Sequence, residues 1–172
     1  MSSAGFQFGL WLSALPILLG GGGEKKTLRL VAQYAEEWNV WSTPEIMVRK
    51  SAILAEHCER LDRDPASVQR SSVALVFLCD TEAEAENLRS RSIPRPCVIG
   101  TAAQLQDQMA AYVEAGVDEF IVPDFTLGTG SAKDDKLDRF LAEVAAPFRD
   151  QTRSTGPIGQ PSSGGIRPVV AR

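Results

Sequence analysis

The sequence has few of the residues that build a metal centre or a histidine-dependent active site. Its 172 residues include one histidine, His57, and three widely spaced cysteines, Cys58, Cys79 and Cys97, with no Cys-x-x-Cys pair. On a helix, the adjacent His57 and Cys58 would point about 100° apart, so they do not converge on one ion. No metal site is therefore expected. Unpaired thiols in odd number are typical of a reducing compartment, and the expected location is cytoplasmic.

Excess positive charge and long apolar runs are also missing. The net charge of −4 leaves no basic face for a nucleic-acid backbone, which excludes a nucleic-acid partner. Residues 1–15, MSSAGFQFGLWLSAL, form an atypical apolar segment. It lacks the basic start of a signal peptide, and glycine and serine break it well short of the ~20 apolar residues that span a bilayer. The sequence therefore predicts no membrane partner.

The stretch 16–41, PILLGGGGEKKTLRLVAQYAEEWNVW, has the pattern strand, glycine loop, helix, strand. The apolar run Pro16–Leu19 stops at Gly20–Gly23, and Glu24 opens a helical pattern. Glycines permit positive φ, and a loop between a strand and a helix N-terminus directs backbone N–H groups at one spot that suits a phosphate. Two interpretations stay open, an anion site and a plain flexible connection. The spacing matches neither a GxGxxG dinucleotide fingerprint nor a P-loop.

Strand and helix patterns alternate along the rest of the chain. Thr43 is expected to cap a helix that starts at Pro44 and runs to about Leu61. Further predicted elements follow in this order: a strand Ser71–Cys79, a short acidic helix Glu82–Ser90, a helix that begins after residues 97–100 with a capping box at Thr101–Gln104 and ends near Ala115, a strand Glu119–Pro123, and a helix Lys136–Phe148. Four alternations predict parallel βα units over residues 16–149. Residues 150–172, rich in glycine, proline and serine, are predicted to be a disordered tail.

A basic loop joins the acidic helix to the next unit. It has the sequence RSRSIPRP and contains Arg89, Arg91 and Arg95. These arginines could meet the anionic tail of a cofactor, or they could be scattered surface charge, and the sequence leaves both interpretations open. Asp124, directly after a predicted strand, could likewise approach a substrate or merely turn the chain.

Two stretches resemble a known enzyme superfamily. GGGGEKKTLRLVAQYAEEWNVW, residues 20–41, resembles the segment after a mid-to-late barrel strand in the luciferase-like monooxygenase superfamily of flavin- or deazaflavin-dependent oxidoreductases. VIGTAAQLQDQMAAYVEAGVDEFIVPDF, residues 98–125, resembles that superfamily's penultimate helix and final strand, with its "AGVDE" turn. The two stretches occur in the family order, and the resemblance covers roughly residues 16–149.

The resemblance implies a fold and a function. The fold would be the C-terminal half of a (β/α)8 TIM-type barrel, since a whole barrel takes ~250 residues; an independent open α/β sheet is the alternative. The cofactor would be flavin mononucleotide (FMN) or deazaflavin (F-420), with its phosphate held by Gly21, Gly22 and Gly23 and approached by Ser42 and Thr43. For Ser42 and Thr43, helix capping alone is the equal alternative. The expected activity is oxidoreduction or monooxygenation of a small-molecule substrate.

The same resemblance raises the question of what the chain does alone. In this family the acid and base residues come from the N-terminal half of the barrel, so no catalytic residue is assigned. Half a barrel leaves two open sheet edges, which predicts a homodimer or a complementing chain. Three functions stay open: the C-terminal portion of an oxidoreductase, a non-catalytic cofactor-binding or dimerising subunit, and an inactive truncated remnant.

Overall fold

The chain forms an open parallel α/β sheet. The computed structural model describes residues 15–149 and 167–171. The strands are β1 Leu18–Gly20, β2 Glu37–Trp41, β3 Gln69–Val73, β4 Leu75–Leu78, β5 Cys97–Gly100, β6 Glu119–Pro123 and β7 Arg167–Ala171. The helices are α1 Thr27–Tyr34, α2 Pro44–Glu59, α3 Glu82–Arg89, α4 Ala102–Glu114, α5 Ser131–Arg139 and α6 Ala146–Arg149. No helix in the described ranges has the length and apolarity needed to cross a membrane.

The five-stranded sheet has the order β1-β2-β3-β6-β7, with every neighbouring pair parallel. β4 and β5 form a separate parallel pair. The predicted parallel βα architecture is therefore confirmed. The sheet does not close on itself within the described residues, which is the geometry of a partial barrel.

Local sequence signals explain where the first helices begin and end. Thr43 accepts a hydrogen bond from the backbone amide of Ile46 at 3.4 Å, and Pro44 follows it at the first helical position, as the sequence predicts for α2. At the C-terminal end of the preceding helix, α1, the guanidinium of Arg63 donates to the carbonyls of Ala32 at 3.1 Å and Ala35 at 2.7 Å. The last carbonyls of α1 thus find a cationic donor, which offsets the negative end of the helix dipole.

Helices cover one face of the sheet, and the other face is more polar, with half-buried side chains on β2 and the buried Ser71 on β3. The covered face buries Trp38, Phe120 and Val122, and Tyr112 of α4 lies edge-on to Phe120 with ring centroids 4.9 Å apart. On the opposite face, Asn39 of β2 is level with Ser71 of β3, and its amide donates to the Ser71 hydroxyl at 2.8 Å. In a (β/α)8 barrel, the face opposite the helices is the interior.

The predicted strand Ser71–Cys79 is wrong as one continuous element. It breaks at Ala74 into β3, which lies between β2 and β6, and β4, which leaves that sheet to pair with β5. Residues 97–100, predicted only as the lead into a helix, are the partner strand β5. An apolar run shows that a segment is buried on both faces but not which strand it pairs with, so the sequence pattern does not reveal the break.

The end of the chain differs from the prediction in two further places. The predicted helix Lys136–Phe148 begins earlier, as α5 at Ser131, and passes through a π-helical turn, Phe140–Ala145, into α6. Within the predicted disordered tail, Arg167–Ala171 is strand β7, parallel to β6. For these five residues the prediction is wrong. The edge of the sheet at β6 has unpaired backbone N–H and C=O groups, and a short strand can bind them whatever its composition. Of the predicted atypical segment 1–15, residues 1–14 lie outside the described residues, as do residues 150–166 and 172 of the predicted tail.

Candidate functional site

The carboxyl ends of the parallel strands bring the predicted site residues to one edge of the sheet. Gly21–Gly23 follow β1, Ser42 and Thr43 follow β2, and Asp124 follows β6. In open α/β sheets and in barrels, ligands bind at this edge. The topology therefore places these loops where a ligand would be expected.

The glycine loop is tied to strand β2. Gly21 has φ of 130°, a value that favours glycine. Its amide donates to the Asn39 carbonyl at 2.8 Å, and its own carbonyl accepts the indole N–H of Trp38 at 2.8 Å. The loop therefore has a defined conformation at its first residue.

The next two glycines are packed closely against neighbours. A Cβ at Gly22 would lie 3.1 Å from Cγ2 of Val40, and a Cβ at Gly23 would lie 2.8 Å from Oγ1 of Thr27. Within residues 15–149 and 167–171, the backbone amides of Gly22, Gly23 and Glu24 donate to no protein acceptor. A packed loop with successive unpaired amides favours the anion-site interpretation over a plain flexible connection.

Lys50 of α2 lies beneath this loop. Its ammonium donates to the Gly22 carbonyl at 2.5 Å and to the Glu24 carboxylate at 3.2 Å, and its side chain is only 11% exposed. Arg49 also contacts the Glu24 carboxylate, at 3.1 Å. The sequence pattern gave no site role to Lys50, although a lysine among the largely apolar positions Ile46, Met47, Ile53 and Leu54 of α2 is the signal that would have found it.

His57 also belongs to the structural support of the loop. Its Nε2 lies 3.0 Å from the Glu24 carbonyl. The only histidine of the sequence thus links α2 to the turn that precedes α1.

Ser42 and Thr43 use their side chains within the protein. Ser42 is fully buried, with its hydroxyl 2.7 Å from that of Ser72, and its carbonyl accepts the Tyr112 hydroxyl at 2.8 Å. Burial raises the pKa of Tyr112, so it stays a neutral donor. Thr43 caps α2, and a side-chain hydrogen bond between Thr43 and the Glu45 carboxylate lowers the pKa of Glu45. These contacts favour helix capping and loop positioning over direct ligand contact.

One arginine of the basic loop reaches the carboxyl edge of the sheet. The exposed Arg95 places its guanidinium carbon 4.5 Å from the ring centroid of Trp41, the last residue of β2. Arg89 is paired with Glu82 and Arg91 with Asn87, both on α3. The contacts of Arg89 and Arg91 fit local surface charge, whereas Arg95 stacks on Trp41 at the carboxyl end of β2.

Asp124 and the cysteines complete the inventory of predicted residues. Asp124 begins a short 3₁₀ turn and forms an ion pair with Lys133, so its carboxylate already has a cationic partner. All three cysteines are unpaired, and burial raises the pKa of each thiol, which disfavours the nucleophilic thiolate. No three His, Cys, Asp or Glu side chains among the described residues are grouped to hold a metal ion.

No protein-family model matches this sequence, and no curated protein matches it. Solved structures do resemble it. The coenzyme F420-dependent tetrahydromethanopterin reductase of Methanopyrus kandleri is 14% identical, with a TM-score of 0.61 over 79% of this chain and 52% of the reductase. EDTA monooxygenase from Chelativorans sp. BNC1 is 15% identical, with a TM-score of 0.58 over 81% of this chain and 45% of the enzyme. Riboflavin lyase, solved with modified FMN and riboflavin, is 10% identical, with a TM-score of 0.60 over 85% of this chain and 45% of the lyase.

The chain thus spans about half the length of the structures that it matches. At these identities the likeness establishes the fold, and it confirms at that level the resemblance found in the sequence. The described part of this chain has the α/β fold of the luciferase-like monooxygenases, over about half of their length.

Proposed function

We propose that this chain is the C-terminal portion of a luciferase-like, flavin- or deazaflavin-dependent oxidoreductase or monooxygenase. The fold supports this proposal, as do the enzymes that share it, whose names refer to coenzyme F420, to FMN or to monooxygenation. In this proposal the glycine loop binds the phosphate of FMN or of the deazaflavin (F-420).

The observation that carries the proposal is the geometry of the glycine loop. Three successive amides, from Gly22 to Glu24, have no acceptor among the described residues, and they lie at the carboxyl end of β1. Lys50 is held under the loop at the Gly22 carbonyl, and Lys50 and Arg49 share the single Glu24 carboxylate, which leaves one net positive charge beside the loop. Unpaired amides and a nearby cation are the groups that bind phosphate oxygens.

The other predicted residues take supporting roles in this proposal. Ser42 and Thr43 fix the start of α2, on which Lys50 lies, through the buried serine pair and the helix cap. Arg95, stacked on Trp41 at the carboxyl end of β2, would supply a second cation at the same edge of the sheet as the glycine loop. A bound flavin-type ring would supply hydride transfer or oxygen activation, and this chain would hold and orient it.

A non-catalytic cofactor-binding subunit is the second candidate. It is favoured because, among the described residues, the side chains that could act in catalysis are bonded to other protein groups. His57 is bonded to a backbone carbonyl, Asp124 is paired with a lysine, and the Ser42 hydroxyl is buried against another serine. Turnover of reduced cofactor by the purified chain would favour the enzyme, and binding without turnover would favour the subunit.

The test is a titration of the full chain with FMN and with the deazaflavin, followed by fluorescence. Gly22→Val places a branched side chain against Val40 and Lys50 and should weaken binding by roughly tenfold or more, because the loop must move. Gly20→Ala is the matched control, since a Cβ there would meet no atom within 4 Å. It should leave the affinity unchanged.

Circular dichroism of each variant separates loss of the site from loss of the fold. A folded Gly22→Val variant with wild-type affinity would refute the role of the glycine loop. Failure of the wild-type chain to bind either cofactor would refute the proposal as a whole.

A further inference from the structure

The first two carbonyls of the glycine loop are each held by a side chain from another element. The indole N–H of Trp38, on β2, donates to the Gly21 carbonyl at 2.8 Å. The Lys50 ammonium, on α2, donates to the Gly22 carbonyl at 2.5 Å. Trp38 is fully buried and the Lys50 side chain is 11% exposed, so breaking either bond would leave a covered donor without an acceptor. The two carbonyls are therefore held in fixed directions.

The next two carbonyls of the loop are bound in the same way. The Leu28 amide, in the first turn of α1, donates to the Gly23 carbonyl at 3.0 Å. His57, on α2, places its Nε2 3.0 Å from the Glu24 carbonyl. A carbonyl oxygen only accepts, so Nε2 of His57 carries the hydrogen and donates it. Four successive carbonyls are thus bound by donors from β2, α2 and α1.

Binding of these carbonyls determines where the N–H groups of the loop point. A trans peptide group is planar, and its N–H points away from its C=O. Each donor that holds a carbonyl therefore turns the amide of the following residue to the opposite side. The amides in question are those of Gly22, Gly23, Glu24 and Lys25, and none has an acceptor within residues 15–149 and 167–171. Gly23 and Lys25 are exposed, so a ligand can reach this part of the loop.

We propose that Trp38, Lys50 and His57 are positioning residues for the anion site, and that each one sets the direction of a single amide. Their targets are, in the same order, the amides of Gly22, Gly23 and Lys25. This inference rests on the proposed function, because the ligand is the phosphate group assigned there to the glycine loop. It adds that the loop presents donors alone, since its carbonyls are turned away, and that the loop therefore favours an ionised phosphate over a neutral polar group.

The experiment is an NMR titration of the isotope-labelled full chain, with inorganic phosphate as the probe. The readout is the change in the backbone amide resonances at saturation, which separates the direction of each amide from the overall affinity. In the wild type, the resonances of residues 22–25 should shift together with one dissociation constant. FMN should shift the same four amides, whereas riboflavin, which lacks the phosphate, should not.

Replacing His57 tests the assignment of one donor to one amide. His57→Leu removes the donor to the Glu24 carbonyl, so the saturating shift of the Lys25 amide should fall roughly threefold or more, because a misaligned hydrogen bond weakens steeply. The shifts of Gly22 and Gly23 should remain. His57→Gln places an amide donor near the position of Nε2 and should restore the Lys25 shift.

Two further variants complete the test. Glu56→Leu is the matched control, because Glu56 is the neighbouring residue on α2 and its carboxylate pairs with Arg60. It should leave all four shifts unchanged. Lys50→Met should give the converse of His57→Leu, with a smaller shift at Gly23 and an unchanged shift at Lys25. The dispersion of the remaining amide resonances shows that each variant is folded, and Lys50→Met decides the question if His57→Leu does not fold.

Two results would overturn this inference and leave the proposed function standing. They are an unchanged Lys25 shift in His57→Leu, and an equal loss at all four amides, which would mean that the histidine supports the loop only as a whole. In both cases the wild type still binds phosphate through the loop. A wild type whose loop amides respond neither to phosphate nor to FMN would overturn the proposed function and this inference with it.

Discussion

Replacing Lys50 by methionine should lower the free energy of unfolding by about 2 kcal/mol. The lost hydrogen bond from a charged donor to the Gly22 carbonyl is worth ~1.5–3 kcal/mol at a site where the lysine is only 11% exposed. The lost contact with Glu24 adds about 0.5 kcal/mol, since that carboxylate is 37% exposed and partly screened by solvent. Methionine keeps the aliphatic packing, and removing the buried charge returns part of its desolvation cost.

Arg49→Met is the matched control for Lys50→Met. Arg49 is the adjacent residue and contacts the same Glu24 carboxylate, but its side chain is 61% exposed. Its replacement should therefore cost less than about 0.5 kcal/mol.

Urea unfolding, followed by circular dichroism and by tryptophan fluorescence, measures both changes. The Lys50 variant should also melt about 4–8 °C lower than the wild type, given the ~2–4 °C per kcal/mol expected for a chain of this size. Equal losses in the two variants, or a loss below about 0.5 kcal/mol for Lys50→Met, would refute the argument that Lys50 fastens the glycine loop.

Three further predictions concern the core and the titrating groups. Tyr112→Phe removes the hydroxyl that donates to the Ser42 carbonyl and should cost about 1–2 kcal/mol in urea unfolding, with no change in the fold. Burial raises the pKa of Asp118 above its usual value, so the folded state binds this proton more tightly than the unfolded state does. The free energy of unfolding should therefore fall as the pH rises from the pKa of Asp118 in the unfolded chain to its higher pKa in the folded protein. Asp118→Asn keeps an acceptor for the Arg70 amide and should remove this pH-dependent fall, as measured by urea unfolding at a series of acidic pH values. Cys97, which is half-buried, should react with a thiol reagent in the native protein before the two buried cysteines, whose labelling should require unfolding; simultaneous labelling would contradict the burial pattern.

The parts of the fold that depend on neighbours in sequence could be predicted. The cap at Thr43, the capping box at Thr101 and the strand Glu119–Pro123 follow from side chains within a few residues of one another, and the structure has all three. The glycine loop could be predicted for the same reason. The positive φ of Gly21 is a local backbone requirement that favours glycine at that position.

The parts that depend on distant partners could not be predicted. The break at Ala74 exists because β4 pairs with β5, more than twenty residues away along the chain, and hydrophobicity alone carries no register. β7 needs β6 as its partner in the same way. Lys50 was missed because its role comes from the Gly22 carbonyl, 28 positions away in the sequence.

The candidate site shows the same division. The loops in the sequence predicted a site at the carboxyl edge of the sheet. The sequence could not distinguish hydroxyl groups that contact a ligand from hydroxyl groups that form hydrogen bonds within the protein. Ser42 and Thr43 belong to the second kind, since one is buried against Ser72 and the other caps a helix. Arg95 could be separated from Arg89 only once the structure placed it on Trp41.

The most direct measurement is the affinity of the full chain for FMN and for riboflavin, compared by calorimetric titration. The two ligands share the ring and differ by the phosphate, so their ratio isolates the contact assigned to the glycine loop and Lys50. If the loop binds the phosphate, FMN should bind tighter by roughly tenfold or more, and Lys50→Met should reduce that ratio. Equal affinity for the two ligands, or no binding of either, would contradict the account.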